Sequence, residues 1–164
     1  MILYFIRHTT PNIEKGICYG QADIDVSDDF ENEFDFLYHK IKSIQTDTVI
    51  SSPLQRCTKL ASKINKKFTS NALLKELNFG KWELEPWNKI PATEIDPWMA
   101  DFVNTPVPNG ESYVDLYLRV LSFYQNIKEN NTIVVTHAGV IRSVLAHITQ
   151  TDLKDSFDFK IPYG

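Results

Sequence analysis

Three short apolar runs along the chain have the pattern of buried β-strands, and they occupy residues 2–6, 48–51 and 132–136. A continuous apolar run is typical of a parallel strand covered on both faces, although periodicity alone leaves a buried helical turn open. Between the runs, apolar residues recur at helical spacing over residues 28–42, 53–67, 112–128 and 138–148. Strands that alternate with helices predict a three-layer α/β/α fold with a mostly parallel central sheet.

Two of the predicted helices begin with residues that favour a helix start. Ser52-Pro53 combines an N-cap residue with proline at the first helical position, which predicts a helix from Pro53 to about Lys67. Ser112 with Asp115 three residues later is close to a capping box and predicts the start of the helix over 112–128.

The stretch over residues 77–109 breaks this alternation. It sets three tryptophans among five prolines: Trp82, Trp87 and Trp98 with Pro86, Pro91, Pro97, Pro106 and Pro108. The aromatic side chains would fill a local core, but an excursion of this length also often forms a lid over a pocket. We therefore predict a single domain over residues 1–164, with a lid or cap at about 77–109.

Composition narrows the classes of function. A chain of 164 residues that is 43% hydrophobic is long enough for one well-buried core. The net charge of -4 gives no basic face for nucleic acid or anionic lipid, so we expect neither as a partner. Met1 leads into the first strand without a signal peptide or membrane span, which favours a cytoplasmic location. Cys18 and Cys57 are too few for a disulfide framework or a zinc site and are expected to be reduced.

Charged and polar residues follow the apolar runs where the strands would meet solvent. Arg7-His8 follows the first run and His137 the third, while Arg56 would lie in the first turn of the helix after the second. Parallel strands bind ligands beyond their carboxyl ends, and a guanidinium at a helix N-terminus can bind phosphate in a bidentate manner. Together these residues predict an anion site. Singly, Arg7 could pair with a carboxylate and Arg56 could be a surface residue.

Glu76 is the candidate acid near this rim. In the segment Leu74-Lys75-Glu76-Leu77-Asn78-Phe79-Gly80, it follows a short apolar stretch and lies among residues that could partly bury it. A partly buried carboxyl group can be held protonated, as a general acid requires.

Five motifs, in order, resemble those of the histidine phosphatase (phosphoglycerate mutase-like) superfamily. They are Arg7-His8-Thr9, Ser51-Ser52-Pro53-Leu54-Gln55-Arg56, Glu76 before Phe79-Gly80-Lys81-Trp82-Glu83, Asn109-Gly110-Glu111-Ser112 and His137-Ala138-Gly139. The resemblance covers essentially the whole chain and implies a phosphoglycerate mutase-like fold. Thr9 departs from the usual glycine of the first motif. The segment Gly16-Ile17-Cys18-Tyr19-Gly20-Gln21-Ala22-Asp23 is further similar to a segment of α-ribazole phosphatases.

The resemblance implies a phosphatase that needs no metal and no cofactor. His8 would be the nucleophile that forms a phosphohistidine, and Glu76 would protonate the leaving group and then activate water, which predicts a bell-shaped pH profile. The phosphate oxygens would be bound by Arg7, Arg56 and His137. Further substrate contacts are expected from Thr9, Gly20, Gln21 and Ala138.

For the substrate, the resemblance favours α-ribazole 5'-phosphate, a small-molecule phosphomonoester of cobalamin nucleotide-loop assembly. Tyr19 or one of the tryptophans could stack on its base, or these rings could be ordinary packing. The alternatives are a broad-specificity phosphatase, a phosphoglycerate mutase-like enzyme and, in a different class, a non-catalytic module that binds phospho-ligands. A mutase generally has more cap and tail, and the presence of both His8 and Glu76 argues against the binding module. Because relatives continue beyond a segment like Ile161-Pro162-Tyr163-Gly164 into a final strand, we expect that strand to be missing or shortened.

Overall fold

A computed structural model describes residues 2–46, 48–128 and 131–164. Its central sheet contains four strands in the order β1-β4-β2-β3, and every pair of neighbours is parallel: β1 is Leu3–Arg7, β2 is Thr48–Ser51, β3 is Thr69–Ser70 and β4 is Thr132–Thr136. β1 and β2 both pair with β4, so Arg7 lies opposite Thr136 and Ser51 lies opposite Val135. The carboxyl ends of these three strands therefore meet at one rim of the sheet.

Helices cover both faces of this sheet. The α-helices are α1 Phe30–Ile41, α2 Gln55–Ile64, α3 Ala92–Ala100, α4 Tyr113–Asn126 and α5 Ala138–Thr149, and short 3-10 turns occupy Ala72–Leu74, Gly80–Trp82, Trp87–Lys89 and Leu153–Asp158. Alternate strand residues separate into two cores, because successive side chains of a strand point to opposite faces. Ile133 packs with residues of α1 and α2, whereas Val134 packs with residues of α4 and α5. This confirms the three-layer α/β/α fold.

The starts of α4 and α2 differ in how well the sequence predicted them. Ser112 and Asp115 form the expected capping box, in which each side chain accepts the backbone N–H of the other residue. The predicted N-cap at Ser52 is wrong: the chain is still extended at Leu54, and α2 runs only over Gln55–Ile64. The Ser52 hydroxyl is instead hydrogen-bonded to the ring of His137, at the rim where β2 and β4 end.

The excursion over residues 77–109 has a small core of its own. Trp82 is buried there with Ile90 and Val107, and Cys18 joins them from the loop after β1. That loop is attached by backbone hydrogen bonds, from Cys18 N to the Glu85 carbonyl (2.9 Å) and from Leu84 N to the Cys18 carbonyl (2.8 Å). The local core expected of the aromatic residues is thus present, and its use as a lid stays a prediction.

After α5 the chain returns towards the rim of the sheet. Residues 159–164 belong to no helix or strand, and no strand follows α5 in the part of the chain that the structure describes. The Ile161 carbonyl accepts a hydrogen bond from Arg7 Nη1 at 2.6 Å, which places this tail beside the end of β1. None of the helices among the described residues combines the length and the apolar character needed to cross a membrane.

Candidate active site

A cavity of about 250 Å³ opens at the rim where β1, β2 and β4 end. Its wall includes five residues predicted from the sequence, namely Arg7, His8, Arg56, Glu76 and Ala138. His137 lies directly behind it, with its ring centroid 5.1 Å from that of His8. The structure therefore brings the predicted catalytic residues together.

His8 is held in one orientation and in its neutral form. Its Nδ1 lies 2.6 Å from the Thr9 carbonyl oxygen, which can only accept, so Nδ1 carries the proton and Nε2 keeps a lone pair. Burial, and next the positive charge of Arg56, lower the pKa of His8 to about 3. At physiological pH the imidazole is uncharged, as a nucleophile must be.

The guanidinium groups of Arg7 and Arg56 are only partly satisfied. Arg7 donates from Nη1 to the Ile161 carbonyl, and Arg56 donates from Nη1 to Ala22 O (2.9 Å) and from Nη2 to Gly20 O (2.5 Å). In both arginines Nε is buried and has no partner among the described residues. An unpaired buried donor is costly, and a charged one costs more. Two such donors beside His8 indicate a site for an anion.

His137 is fully buried at the start of α5 and is also neutral. Its Nε2 lies 2.8 Å from the Ser52 hydroxyl, and the thiol of Cys57 packs against the same ring, with Sγ 3.5 Å from Nε2. Burial is the main cause that lowers the pKa of His137 well below its usual value, and the positive charge of Arg56 adds to it. A neutral ring avoids a further buried charge next to Arg56, and a contact between His137 and phosphate stays a prediction.

The carboxylate of Glu76 is anchored by backbone donors. One oxygen accepts from Leu77 N at 2.9 Å and the other from Gly139 N at 3.0 Å, at the first turn of α5. A Cβ at position 139 would lie 2.2 Å from Glu76 Oε1, so only glycine allows this approach. Arg119 supports the same segment, because its Nη2 donates to the Glu76 carbonyl while its guanidinium forms a bidentate pair with Glu111.

The other residues predicted to contact the substrate differ in their surroundings. Thr9 is buried next to His8, and its hydroxyl has no partner among the residues described. The backbone N–H groups of Gly20 and Gln21 donate to Glu83, and the Gln21 side chain donates to the Glu76 carbonyl. A Cβ on Gly20 would lie 1.8 Å from the Leu77 carbonyl oxygen, so packing alone requires this glycine. Substrate contacts by Gly20 and Gln21 stay a prediction.

The rest of the cavity wall is mainly aromatic. It contains Tyr19, Phe79, Trp87, Tyr113 and Phe157 together with a third arginine, Arg142. Of these rings, Tyr19 lies beside Arg56, whose guanidinium carbon is 5.5 Å from the ring centroid. Trp82 is instead buried in the core of the excursion and Trp98 packs against it. Of the three tryptophans, Trp87 is the one among the residues lining this cavity.

Two features of the site had no local signal in the sequence. Tyr163 lies over Arg7, with the guanidinium carbon 3.7 Å from its ring centroid, and its hydroxyl is 2.9 Å from that of Tyr19. Ser52 and Cys57 contact the His137 ring, although the sequence pattern suggested an N-cap role for Ser52. Within residues 2–46, 48–128 and 131–164, no three His, Cys, Asp or Glu side chains are grouped to hold a metal ion, and the expectation that the reaction needs none stays a prediction.

The fold and the site together define a class: α/β proteins with a nucleophile-competent histidine and paired arginines at the carboxyl rim of a parallel sheet. The family model for the histidine phosphatase superfamily (branch 1) matches residues 3–164, so the chain belongs to that superfamily, as the sequence motifs indicated.

Individual relatives are distant but cover most of the chain. The chain is 27% identical over 164 residues to a Hydrogenobacter thermophilus protein named as a phosphoserine phosphatase, covering 93% of this chain and 81% of that protein. It is 25% identical over 177 residues to the adenosylcobalamin/alpha-ribazole phosphatase of Escherichia coli, covering 100% and 87%. The solved structure of the alpha-ribazole phosphatase from Shigella flexneri superposes with a TM-score of 0.85 at 22% identity, covering 98% of this chain and 86% of that one. The last comparison shows a shared fold.

Proposed function

We propose that the protein hydrolyses phosphomonoesters through a phosphohistidine on His8. The observation that carries this proposal is a buried, neutral His8 whose Nδ1 donates to Thr9, beside the unpartnered Nε groups of Arg7 and Arg56. A nucleophile next to unsatisfied cationic donors is suited to a phosphoryl group, which brings both an electrophilic phosphorus and negatively charged oxygens. Membership of the histidine phosphatase superfamily supports the same reaction.

In the first step, the lone pair of His8 Nε2 attacks phosphorus in line with the ester oxygen. The N–P bond forms, the P–O bond to the leaving group breaks, and Glu76 gives its proton to the departing oxygen. Arg7, Arg56 and the neutral N–H of His137 bind the equatorial oxygens, where negative charge collects in the transition state.

In the second step, water attacks the phosphohistidine. Glu76, now ionised, takes a proton from the water, the N–P bond breaks and its electrons return to His8 Nε2, and phosphate is released. Glu76 therefore changes protonation state twice in each cycle. This role predicts that activity falls at both low and high pH.

For the substrate we propose α-ribazole 5'-phosphate, in the cytoplasm. A relative of this chain is named as an adenosylcobalamin/alpha-ribazole phosphatase, and its name gives the reason to test that compound. The aromatic part of the cavity wall supports it, because Tyr19, Phe79 and Trp87 offer ring faces and edges to a planar base.

A second candidate is a phosphomonoester whose leaving group carries a carboxylate, such as phosphoserine or 3-phosphoglycerate. Arg142 lies in the cavity wall and donates from Nε to the Phe159 carbonyl at 3.3 Å, while its two Nη groups form no hydrogen bond with any described residue. These groups could bind a carboxylate in a bidentate manner. A relative named as a phosphoserine phosphatase gives this candidate its first test compound.

The test is phosphate release from α-ribazole 5'-phosphate, phosphoserine, 3-phosphoglycerate and p-nitrophenyl phosphate, by wild type and His8→Ala. A phosphorylated intermediate is sought in parallel by rapid acid-free quenching and intact mass, where one phosphoryl group adds to the wild-type chain only. Turnover that survives in His8→Ala would refute the mechanism. Turnover without preference for α-ribazole 5'-phosphate would refute the substrate and leave the mechanism standing.

A further inference from the structure

A single carboxylate in the excursion accepts four backbone N–H groups. Oε2 of Glu83 accepts from Gly20 N at 2.9 Å and from Ala22 N at 3.0 Å, and Oε1 accepts from Gln21 N at 2.8 Å and from Phe79 N at 3.0 Å. A carboxylate offers about four lone pairs, so Glu83 is fully occupied. Three of its four donors come from consecutive residues of the loop after β1, which fixes that loop in one conformation.

The opposite side of the same loop faces Arg56. The carbonyls of Gly20 and Ala22 accept from Arg56 Nη2 and Nη1 at 2.5 and 2.9 Å. The peptide groups of the loop thus lie between a carboxylate on one side and a guanidinium on the other. Chains of hydrogen bonds that run from one charge to another polarise each other, which strengthens both ends.

We infer that Glu83 is a positioning residue for phosphate binding, which acts on Arg56 through the loop over residues 20–22. With both Nη groups tied to this loop, the guanidinium plane is fixed and its buried, unpartnered Nε remains for the anion. The inference rests on the proposed function in one respect, namely that Arg56 binds the phosphoryl group. It assigns a role to the glutamate of the Phe79-Gly80-Lys81-Trp82-Glu83 motif, which the catalytic steps do not use.

A purely structural role for Glu83 makes a different prediction. Other hydrogen bonds already attach the loop to the excursion, including Cys18 N to the Glu85 carbonyl and Trp87 N to the Gly16 carbonyl, both at 2.9 Å. If Glu83 only added to this attachment, its replacement would lower the melting temperature and leave the affinity for phosphate unchanged. If it positions Arg56, affinity changes, and the change depends on Arg56.

The experiment measures the affinity of inorganic phosphate by calorimetry for wild type, Glu83→Gln, Arg56→Lys and the double variant. Glutamine keeps one acceptor but turns an NH₂ group towards backbone donors, so we expect phosphate to bind about tenfold more weakly, as for loss of a buried charged hydrogen bond. In the Arg56→Lys background, Glu83→Gln should weaken phosphate binding by less than about twofold, because lysine lacks the planar guanidinium that the loop carbonyls hold. Glu85→Gln, an exposed neighbour, is the matched control and should bind phosphate as wild type does.

Two outcomes would overturn the inference: unchanged phosphate affinity in Glu83→Gln, or equal losses from Glu83→Gln in both backgrounds. If Glu83→Gln does not fold, Glu83→Asp is measured in the same way, since it keeps the charge but withdraws it by one methylene, and a loss of about threefold with the same dependence on Arg56 is expected. Phosphate binding needs no turnover. A wild-type protein that binds phosphate but cleaves no ester would refute the proposed function alone, whereas wild-type protein that binds no phosphate would refute both.

Discussion

The two ends of the cavity are built differently. At the end where we propose that phosphate binds, the phosphate end, His8 and His137 directly follow β1 and β4, and Arg56 lies in the first turn of α2. All three are at most 2% exposed, and each is held by backbone carbonyls or a buried hydroxyl. At the leaving-group end, Phe79 and Trp87 belong to the excursion and are only half-buried. We infer that the first end fixes the chemistry and that the second end, to which the excursion contributes, sets the choice of substrate. Changes at the first end should affect all substrates, and changes at the second should separate them.

The largest effect is expected from His8→Ala. Loss of the nucleophile removes the covalent route, so kcat should fall by at least about 10⁴-fold for every phosphomonoester tested. Steady-state phosphate release with p-nitrophenyl phosphate and a natural candidate is the measurement. His39→Ala, at an exposed position on α1, is the matched control and should retain wild-type activity. A residual rate close to wild type in His8→Ala would mean that the phosphate end is not where the reaction occurs.

Glu76→Gln should have the next largest effect, and one that depends on the leaving group. The amide cannot donate a proton as an acid does, so kcat/KM should fall about 100-fold for an alkyl phosphate. For p-nitrophenyl phosphate, whose leaving group needs no proton, the first step should change little. Comparison of the two substrates in one preparation provides the internal control. Equal losses for both would assign Glu76 to binding.

The buried, neutral state of His8 predicts a specific dependence of stability on pH. Its pKa is about 3 in the folded protein and 6.5 in the unfolded chain, so between these values the unfolded chain binds more protons and stability falls as pH falls. At pH 5 this group should lower the free energy of unfolding by about 2 kcal/mol, which is a factor of about 30 in the unfolding equilibrium. Urea unfolding at pH 7 and pH 5 measures it. His8→Asn can still donate to the Thr9 carbonyl but cannot titrate, and its loss of stability over the same interval should be smaller by that amount. An identical loss in both proteins would contradict a neutral, buried His8.

Residues at the ends of the strands could be predicted from the sequence, whereas contacts between distant segments could not. Arg7, His8 and His137 could be placed together because an apolar run fixes a strand, and parallel strands end at a common rim. The hydrogen bonds from Gly20 N and Gln21 N to the Glu83 carboxylate join segments about 60 residues apart. Because the donors are backbone groups, no local sequence pattern predicts these bonds. Ser52 shows a limit of capping rules, because a hydroxyl that fits an N-cap was needed by His137 instead.

Gly139→Ala tests the link between α5 and the acid. The new Cβ would overlap Glu76 Oε1, which lies 2.2 Å away, so the carboxyl group must move. A displaced catalytic group lowers the rate less than a missing one does, and we expect kcat/KM for alkyl phosphates to fall about ten- to thirtyfold. Rates with p-nitrophenyl phosphate should change much less, because that leaving group does not need the acid. A loss of the same size with both substrates would show that the substitution disturbs the phosphate end as a whole.

The smallest effects, and the most selective ones, are expected at the leaving-group end. Trp87→Ala removes an aromatic wall and should raise KM for α-ribazole 5'-phosphate by about five- to tenfold, with phosphoserine unaffected. Arg142→Met removes the charge but keeps the length of the side chain. It should raise KM for phosphoserine by a similar factor and leave KM for α-ribazole 5'-phosphate unchanged. Trp98→Ala is the control, since Trp98 packs in the same local core without lining the cavity. If Trp87→Ala and Trp98→Ala lower activity equally on all substrates, the excursion supports the fold and does not select the leaving group.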